Sequence, residues 1–315
     1  MEKTKKRKAG KNVQLDIATR NRRKRYRIAW IMVAPAVILR LCLIGYPFVM
    51  TLYNSFFEYK ALKPQRSFIG FENYAKLFQD VGVTESIGFT IAFTFITMAM
   101  VTVLGVLLAL LMNAKFKGRN VVRTVILIPW AVPTIVAAIA FQWAFNDTFG
   151  FINDFLSKIS GSQVTFPWLA TVNGARVAVI LVEVWKHTPM FAIMVLAGLQ
   201  SIPEELYESA KLDGAGKFKT FFTITLPHIT KLLLSLITFQ LIWRATGFEL
   251  VYGMTSGGPG SATSLLSYRI FLHSVKNLNW GYSSAIAMVM FAILLIIITV
   301  GLSIQRKVGL EGDSK

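Results

Sequence analysis

Charged side chains lie inside segments that are otherwise largely apolar, among them Arg40, Glu183, Lys186, Arg244 and Glu249. An unpaired charge at membrane depth costs several kcal/mol, so each of these residues is expected to find a partner or to contact water. Glu183 and Lys186 are three residues apart, a spacing at which they are expected to neutralise each other on one helix. For Arg40, Arg244 and Glu249 two interpretations stay open: salt bridges between helices, or a polar path through the membrane.

Aromatic and amide side chains accompany these charges. Sugar sites combine aromatic faces for stacking with groups that donate and accept hydrogen bonds. The same residue types also occur at membrane interfaces and in contacts between helices. The candidates for a substrate path are therefore Arg40, Gln240, Trp243, Arg244, Phe248, Glu249 and Tyr252.

The sequence contains no known catalytic motif. Of its three histidines, His187 lies in an apolar segment, whereas His228 and His273 lie in predicted loops on opposite sides of the membrane. No HExxH, nucleophile elbow, cluster of carboxylates or phosphate-binding G-x-x-x-x-G-K-[ST] loop occurs. We expect no metal, no cofactor and no enzymatic activity in this chain, so a membrane enzyme is a disfavoured interpretation.

The composition indicates a membrane protein. Of the 315 residues 54% are hydrophobic, the mean hydropathy is +0.53, and the single cysteine excludes a disulfide framework. A helix that crosses the membrane needs about 20 largely apolar residues. Six segments meet this requirement, at roughly 29–53, 86–112, 121–144, 175–199, 229–254 and 282–304. The predicted fold is an all-α membrane protein with six transmembrane helices.

Basic residues are distributed unevenly between the two sides of these segments. With the N-terminus inside, the inner segments hold 23 of the 34 Lys and Arg residues and the outer segments hold seven. This asymmetry predicts that both termini are cytoplasmic. Twelve of the basic residues lie in 1–28, which is expected to be a disordered tail near anionic lipid headgroups. An RNA-binding arm is disfavoured because no aromatic platform is interleaved with the charges.

A polar stretch at 201–229 separates the fourth and fifth predicted spans. Ser201 and Glu204 match an S-x-x-E capping box, which predicts a helix with Pro203 in its first turn. Asp213 and the glycine after it predict the end of that helix. A second short helix is predicted over 216–225, with the proline at 227 as its end.

The first of these two helices combines an apolar face with four acidic residues, Glu204, Glu205, Glu208 and Asp213. Acidic residues are poorly suited to an anionic membrane surface. A small apolar and acidic helix held at the membrane surface is better suited to docking into a groove of a soluble partner.

The segment ESAKLDGAGKFKTFFTITLP resembles the EAA signature of permease subunits in binding-protein-dependent ABC importers. The matching residues are Glu208, Ala210, Asp213, Gly214, Ala215, Ile224, Leu226 and Pro227, and Ser209 replaces the middle alanine. In that family the element is a coupling helix that sits in a cleft of a cytoplasmic ATPase. VYGMTSGGPGSATSLLSYRIF is similar to the first of the two permease subunits in sugar importers of the maltose and glycerol-3-phosphate type.

The resemblance implies the type I importer permease fold, with a tail at 1–28, a permease domain at 29–310 that includes a coupling loop at 200–228, and a C-terminal tail at 311–315. It implies a bacterial cell membrane location, and as partners a second permease subunit, a dimer of ABC ATPases, an extracytoplasmic binding protein and the bilayer, with no nucleic acid. The implied function is ATP-driven import of a sugar or oligosaccharide. The alternatives are a non-sugar solute such as glycerol-3-phosphate, or a self-sufficient secondary carrier.

Overall fold

The structure is a computed structural model that describes residues 24–312, so most of the predicted basic tail and residues 313–315 lie outside the described part. The chain divides into two units, residues 1–53 and 54–315. Helix α1, Lys24–Asn54, contains the first predicted span and, up to residue 53, is the described part of the first unit. The helix widens into a π turn at Leu41–Gly45. Arg40 lies next to this turn with its side chain exposed.

The second unit begins with a β hairpin that the sequence did not predict. Strand β1, Phe57–Lys60, pairs antiparallel with strand β2, Lys63–Phe68. Its cross-strand Phe57 and Phe68 rings lie 5.3 Å apart. Asn73 of helix α2, Glu72–Gln79, donates hydrogen bonds to the backbone oxygens of Ser55 and Phe57 and so ties the hairpin to α2.

Within residues 24–312, four further helices are long and apolar enough to cross a membrane: α3, Val81–Asn113; α8, Val172–Leu199; α10, Lys217–Thr246; and α13, Trp280–Gly312. Together with α1 they account for five of the six predicted spans. Asp80 begins α3, because its carboxylate accepts a hydrogen bond from the Val83 amide at 3.2 Å. The Tyr282 hydroxyl of α13 donates to the other oxygen of this carboxylate at 3.0 Å.

The third predicted span is broken. Helices α4, Arg119–Ile126, and α5, Ile128–Ala131, are followed by α6, Thr134–Ala144, and the chain bends by 87° at the break. Pro133 explains the break, because it has no amide hydrogen to continue the helix. The predicted span over 121–144 is therefore a bent pair of helical segments and not one straight helix.

The fifth span also differs from its prediction. Helix α10 begins at Lys217 and ends at Thr246, where Gly247 adopts an extended conformation. A separate helix α11, Glu249–Met254, follows. The predicted single span over 229–254 is thus two helices with a break at Gly247 and Phe248. The remaining short helices are α7, Phe151–Ser160, α9, Glu204–Leu212, and α12, Leu266–Phe271, which is extended by a π turn at Leu272–Lys276.

The packing of α3 against α8 forms the centre of the second unit. Gly105 of α3 lies against the fully buried Phe191 ring of α8, and a Cβ atom at Gly105 would lie 2.5 Å from that ring. Small residues at such crossings allow two membrane helices to approach closely. Helix α10 packs on both helices through Ile229 and Leu233, and α6 packs on α11.

We predict that Gly105→Ala lowers the free energy of unfolding by about 1–3 kcal/mol, because the added methyl group forces the buried Phe191 ring out of its position. Gly88 of the same helix is the matched control, since a Cβ atom there would meet nothing within 4 Å. Gly88→Ala should leave the stability unchanged or raise it by up to about 1 kcal/mol. Thermal unfolding in detergent measures both, and equal stability of the two variants would contradict this packing.

Candidate functional site

Helix α9 and the turn after it form a surface element with a defined end. The helix ends at Leu212 with Asp213 as its cap, and Gly214 has a φ of 72°. The Ala215 amide donates to the Ala210 carbonyl at 2.9 Å. Glycine is the residue that adopts a left-handed backbone without a steric cost, so the predicted Asp-Gly stop is confirmed.

One side of α9 is attached to the helix bundle. Ala210 is buried, as is Ile202 just before the helix, and Leu206 and Tyr207 pack on the cluster formed by α3, α8 and α10. The hydroxyls of Tyr207 and Thr225 lie 3.1 Å apart and link α9 to α10. The apolar face predicted for this helix is therefore used within the chain.

The other side of α9 is exposed. It carries Glu205, Glu208, Ser209 and Asp213, together with Leu212, whose side chain is 89% exposed. An isolated helix of nine residues is marginal in water. Its contacts with the bundle therefore hold the acidic surface in a fixed position.

The capping box predicted for α9 is wrong. The Ser201 hydroxyl donates to the Gly198 carbonyl at 2.8 Å, and Pro203 is the residue that precedes the helix. The Glu204 carboxylate instead accepts a hydrogen bond from the Lys115 ammonium group at 2.6 Å. This hydrogen bond lowers the pKa of Glu204. It connects α9 to the loop after α3, and no pattern in the sequence predicted this contact.

The second short helix of the predicted coupling loop is the start of α10, which continues through Pro227. A π turn at Phe221–Thr225 precedes the proline, and the Leu226 amide donates to the Phe221 carbonyl across five residues. An extra residue in the turn shifts the hydrogen-bond register and lets a helix tolerate a proline. Ile224 and Leu226 are half-buried within this continuous helix, so the predicted end at Pro227 is wrong.

A pair of opposite charges joins α8 to α10 inside the bundle. The Arg244 guanidinium donates to the Glu183 carboxylate at 2.8 Å, and only 2% of Arg244 and 6% of Glu183 are exposed. His187, one turn along α8, has its Nδ1 atom 3.1 Å from the same carboxylate. Arg244 therefore forms a salt bridge between helices, one of its two predicted interpretations. Among residues 24–312, the direct ion pairs of Glu183 are with Arg244 and His187 and not with Lys186.

The Lys186 side chain forms hydrogen bonds with the backbone of the broken span. Its ammonium group donates to the carbonyls of Val132, Trp130 and Pro129, the last two at 3.4 and 3.5 Å. These carbonyls lie at the end of α5, and Pro133 offers the Pro129 oxygen no amide hydrogen. A cation at the C-terminal end of a helix is also favoured by the helix dipole. The predicted Glu183–Lys186 pair is therefore wrong, because each residue has a partner on another helix.

A small cavity of about 40 Å³ lies beside this charge layer. Thr134, His187 and Gly247 line it together with the predicted path residues Trp243, Arg244 and Glu249. The Nε and Nη2 atoms of Arg244 are buried without a hydrogen-bond partner within residues 24–312. These two atoms form one edge of the guanidinium group, which can donate two parallel hydrogen bonds.

The other predicted path residues have different surroundings. Phe248 stacks on Phe271 at 5.1 Å, and Tyr252 contacts the same ring. Gln240 is buried one turn before Arg244, and Arg40 belongs to the first unit. Sequence reasoning missed Thr134 and the role of His187 at the cavity. The prolines at 129 and 133 could have predicted the helix break, and this break places Thr134 at the cavity.

The described part of the chain is that of a polytopic membrane protein, with five long apolar helices, a broken span and a polar layer between α8 and α10. The chain belongs to the family described as binding-protein-dependent transport system inner membrane component, whose model matches residues 101–308. The expected family is thereby confirmed. Within the described part of the chain, no group of three or more His, Cys, Asp or Glu residues could hold a metal ion.

Two curated relatives match nearly the whole chain. The chain is 39% identical over 280 residues to the sulfoquinovosyl glycerol transport system permease protein of Agrobacterium fabrum, which covers 89% of this chain and 90% of that protein. It is 35% identical over 281 residues to the trehalose/maltose transport system permease protein of Thermococcus litoralis, with coverages of 89% and 94%.

The fold matches a solved transporter subunit. A chain of a bacterial ABC transporter involved in the import of the acidic polysaccharide alginate superposes with a TM-score of 0.79 and 24% identity. The superposition covers 90% of this chain and 96% of that chain. The ABC importer permease fold expected from the sequence is therefore confirmed.

We predict that Arg244→Met lowers the free energy of unfolding by about 3–5 kcal/mol, because it leaves the Glu183 carboxylate buried without its cation. The double variant Glu183→Leu with Arg244→Met should recover most of this loss, since apolar residues of similar volume replace buried ion pairs at little cost. Thermal unfolding of the purified protein in detergent measures both.

Arg119→Met is the matched control, because Arg119 is exposed and its replacement should change stability by less than about 0.5 kcal/mol. If the single variant Arg244→Met were as stable as this control, the Glu183–Arg244 pair would not stabilise the fold as predicted.

Proposed function

We propose that this chain is a transmembrane permease subunit of an ATP-driven importer for a sugar or oligosaccharide. The observation that carries the proposal is the exposed acidic turn at the end of α9. It bears the first part of the EAA motif, Glu208 to Ala215, and the buried side of α9 fixes it to α8 and α10. The curated relatives support a sugar as the solute, because their names describe transport of sulfoquinovosyl glycerol and of trehalose and maltose.

The proposed partners follow from the way in which importers of this family assign transport, ATP hydrolysis and solute delivery to separate subunits. This chain has no phosphate-binding loop, so ATP hydrolysis belongs to separate ATPase subunits and the chain itself is not an enzyme. A second permease subunit completes the path, and an extracytoplasmic binding protein delivers the solute. The uneven distribution of basic residues supports an orientation with both termini and α9 in the cytoplasm of a bacterial cell.

Coupling rests on the exposed side of α9. Glu208, Ser209, Asp213 and Gly214 contact the ATPase, while Ala210 and Ala215 shape the turn from within. The buried side of α9 passes the movement to α10 through Tyr207 and Thr225, which lie 3.1 Å apart. Ile224, Leu226 and Pro227 belong to the first turns of α10 and move with it.

The cavity beside Arg244 is proposed as part of the solute path. The edge formed by Nε and Nη2 can donate to neighbouring hydroxyls of a sugar, and Trp243 offers an aromatic face. Glu249 is exposed at the start of α11 and supplies an acceptor. Gln240, Phe248 and Tyr252 support this region through packing, and Arg40 is proposed for the path from its sequence position alone.

We predict that Gly214→Pro abolishes coupled uptake while the protein still inserts into the membrane. Proline fixes φ near −65° and cannot adopt the 72° of Gly214, so the turn presented to the ATPase changes shape. ATP hydrolysis and uptake are measured in proteoliposomes that contain the assembled transporter and its loaded binding protein. The expected result is hydrolysis that no longer responds to the binding protein.

Gly216→Ala is the control for this experiment. Gly216 has a φ of −70°, and a Cβ atom there would meet nothing within 4 Å. Uptake by this variant should equal that of the wild type. Normal uptake by Gly214→Pro would remove the coupling role of the turn.

We predict that Arg244→Lys reduces uptake by about tenfold or more with little loss of stability. Lysine keeps a cation for Glu183 but loses the guanidinium edge, and a lost hydrogen bond to a charged group costs about 1.5–3 kcal/mol. Uptake of labelled trehalose and maltose gives KM and maximal rate. Arg176→Lys is the control, because Arg176 donates to the Ala262 carbonyl at 2.8 Å and does not line the cavity. Equal kinetics in both variants would exclude Arg244 from the path.

A further inference from the structure

Helix α7 is held rigidly by polar side chains at its inner side. Asn153 donates to the carbonyls of Asp147 and Phe166 at 3.1 and 3.0 Å, and it accepts from the Trp168 indole at 2.9 Å. The Ser157 hydroxyl accepts from the Val164 amide at 2.8 Å. These contacts fix the rotation of α7 about its own axis, so its outward surface is defined.

Three apolar side chains form an exposed stripe along α7. Phe151, Phe155 and Ile159 are spaced four residues apart and therefore lie on one face. Their exposed fractions are 63%, 48% and 70%, and the two phenylalanine rings stack at 5.7 Å. Leaving such side chains in water rather than burying them costs about 1.5–3 kcal/mol each. We therefore expect another molecule to shield these three side chains from water.

The charged residues of α7 lie on an exposed arc that borders the stripe. Asp154 and Lys158 form a salt bridge at 2.8 Å, and both side chains are well exposed. Going around the helix, the surface thus divides into an arc that packs on the protein, an arc of charges and an arc that is only apolar. A helix that lies in a membrane interface shows this division, because it contacts protein, water and lipid on different sides.

The position of α7 in the chain favours lipid as the cover. The helix packs on α6, the second half of the broken span, and begins a few residues after α6 ends at Ala144. Helix α6 has an exposed apolar surface of its own at Ile135, Ile139 and Trp143, again spaced four residues apart. The stripe contains no group that could form a hydrogen bond with a partner protein, and aromatic side chains are favoured at membrane boundaries.

We propose that α7 is an interfacial helix whose Phe151, Phe155 and Ile159 insert into the boundary between phospholipid headgroups and acyl chains. The helix anchors the end of α6 that is remote from the cavity, since Thr134 begins the opposite end. The leaflet is the one on the side opposite α9, because α8 lies between the two helices in the chain and crosses the membrane. The inference does not depend on which solute the protein carries.

Site-directed spin labelling tests the proposal. Cys42 is the single cysteine, so Cys42→Ser gives a background for Phe151→Cys, Phe155→Cys and Ile159→Cys. The full transporter is reconstituted in nanodiscs of phosphatidylethanolamine and phosphatidylglycerol. Relaxation by oxygen, which partitions into lipid, is compared with relaxation by a water-soluble nickel complex. Asp154→Cys and Lys158→Cys on the charged arc are the matched controls.

The ratio of oxygen to nickel accessibility should be about tenfold higher at the three stripe positions than at the two controls, a difference that corresponds to about 1.4 kcal/mol. Equal ratios at all five positions would place the stripe in water and overturn the proposal. Stripe positions that neither reagent reaches would overturn it as well, because a protein subunit would then cover the helix.

Discussion

The interaction between Arg244 and Glu183 is the constraint on which the interior of this protein depends. Both side chains are almost fully buried, and their hydrogen bond of 2.8 Å joins α8 to α10. A single charge in such surroundings is costly, whereas a well-formed pair is tolerated. The pair therefore fixes the rotation of the two helices relative to each other. His187 and the cavity acquire their positions from this arrangement.

Both helix breaks lie beside this charge layer, and the protein compensates each of them in a different way. At the first break, Pro133 leaves carbonyl oxygens of α5 without amide donors, and the Lys186 ammonium group takes their place. At the second, Gly247 ends α10, and the Gly247 carbonyl accepts from the Ser267 hydroxyl at 3.1 Å. Irregular backbone at membrane depth is tolerated where it is enclosed by protein or lines a cavity. The breaks and the polar residues therefore belong to one local structure.

Hydropathy identified the five long helices because length and apolarity are local properties of the sequence. The Asp-Gly turn was predictable for the same reason, since it requires only a left-handed glycine. The partners of the charges were not predictable. Glu183 pairs with Arg244, 61 residues away, although Lys186 lies three residues away on the same helix. Spacing along one helix cannot show which neighbouring helix offers a better partner, and the hairpin at 57–68 likewise depends on its contacts with α2.

The contact of α9 with the bundle determines what a force on the surface turn can do. Near this turn α8 and α10 touch closely, because a Cβ atom at Gly198 would lie 2.3 Å from the Leu232 side chain. Packed interiors transmit strain and do not deform continuously. A push on α9 therefore moves the adjoining ends of α8 and α10 together. The helix breaks at Pro133 and Gly247 are the places where the chain can change direction without losing regular helical hydrogen bonds. In the mechanism proposed above, movement at the surface turn is converted into rearrangement around Arg244, in the proposed solute path.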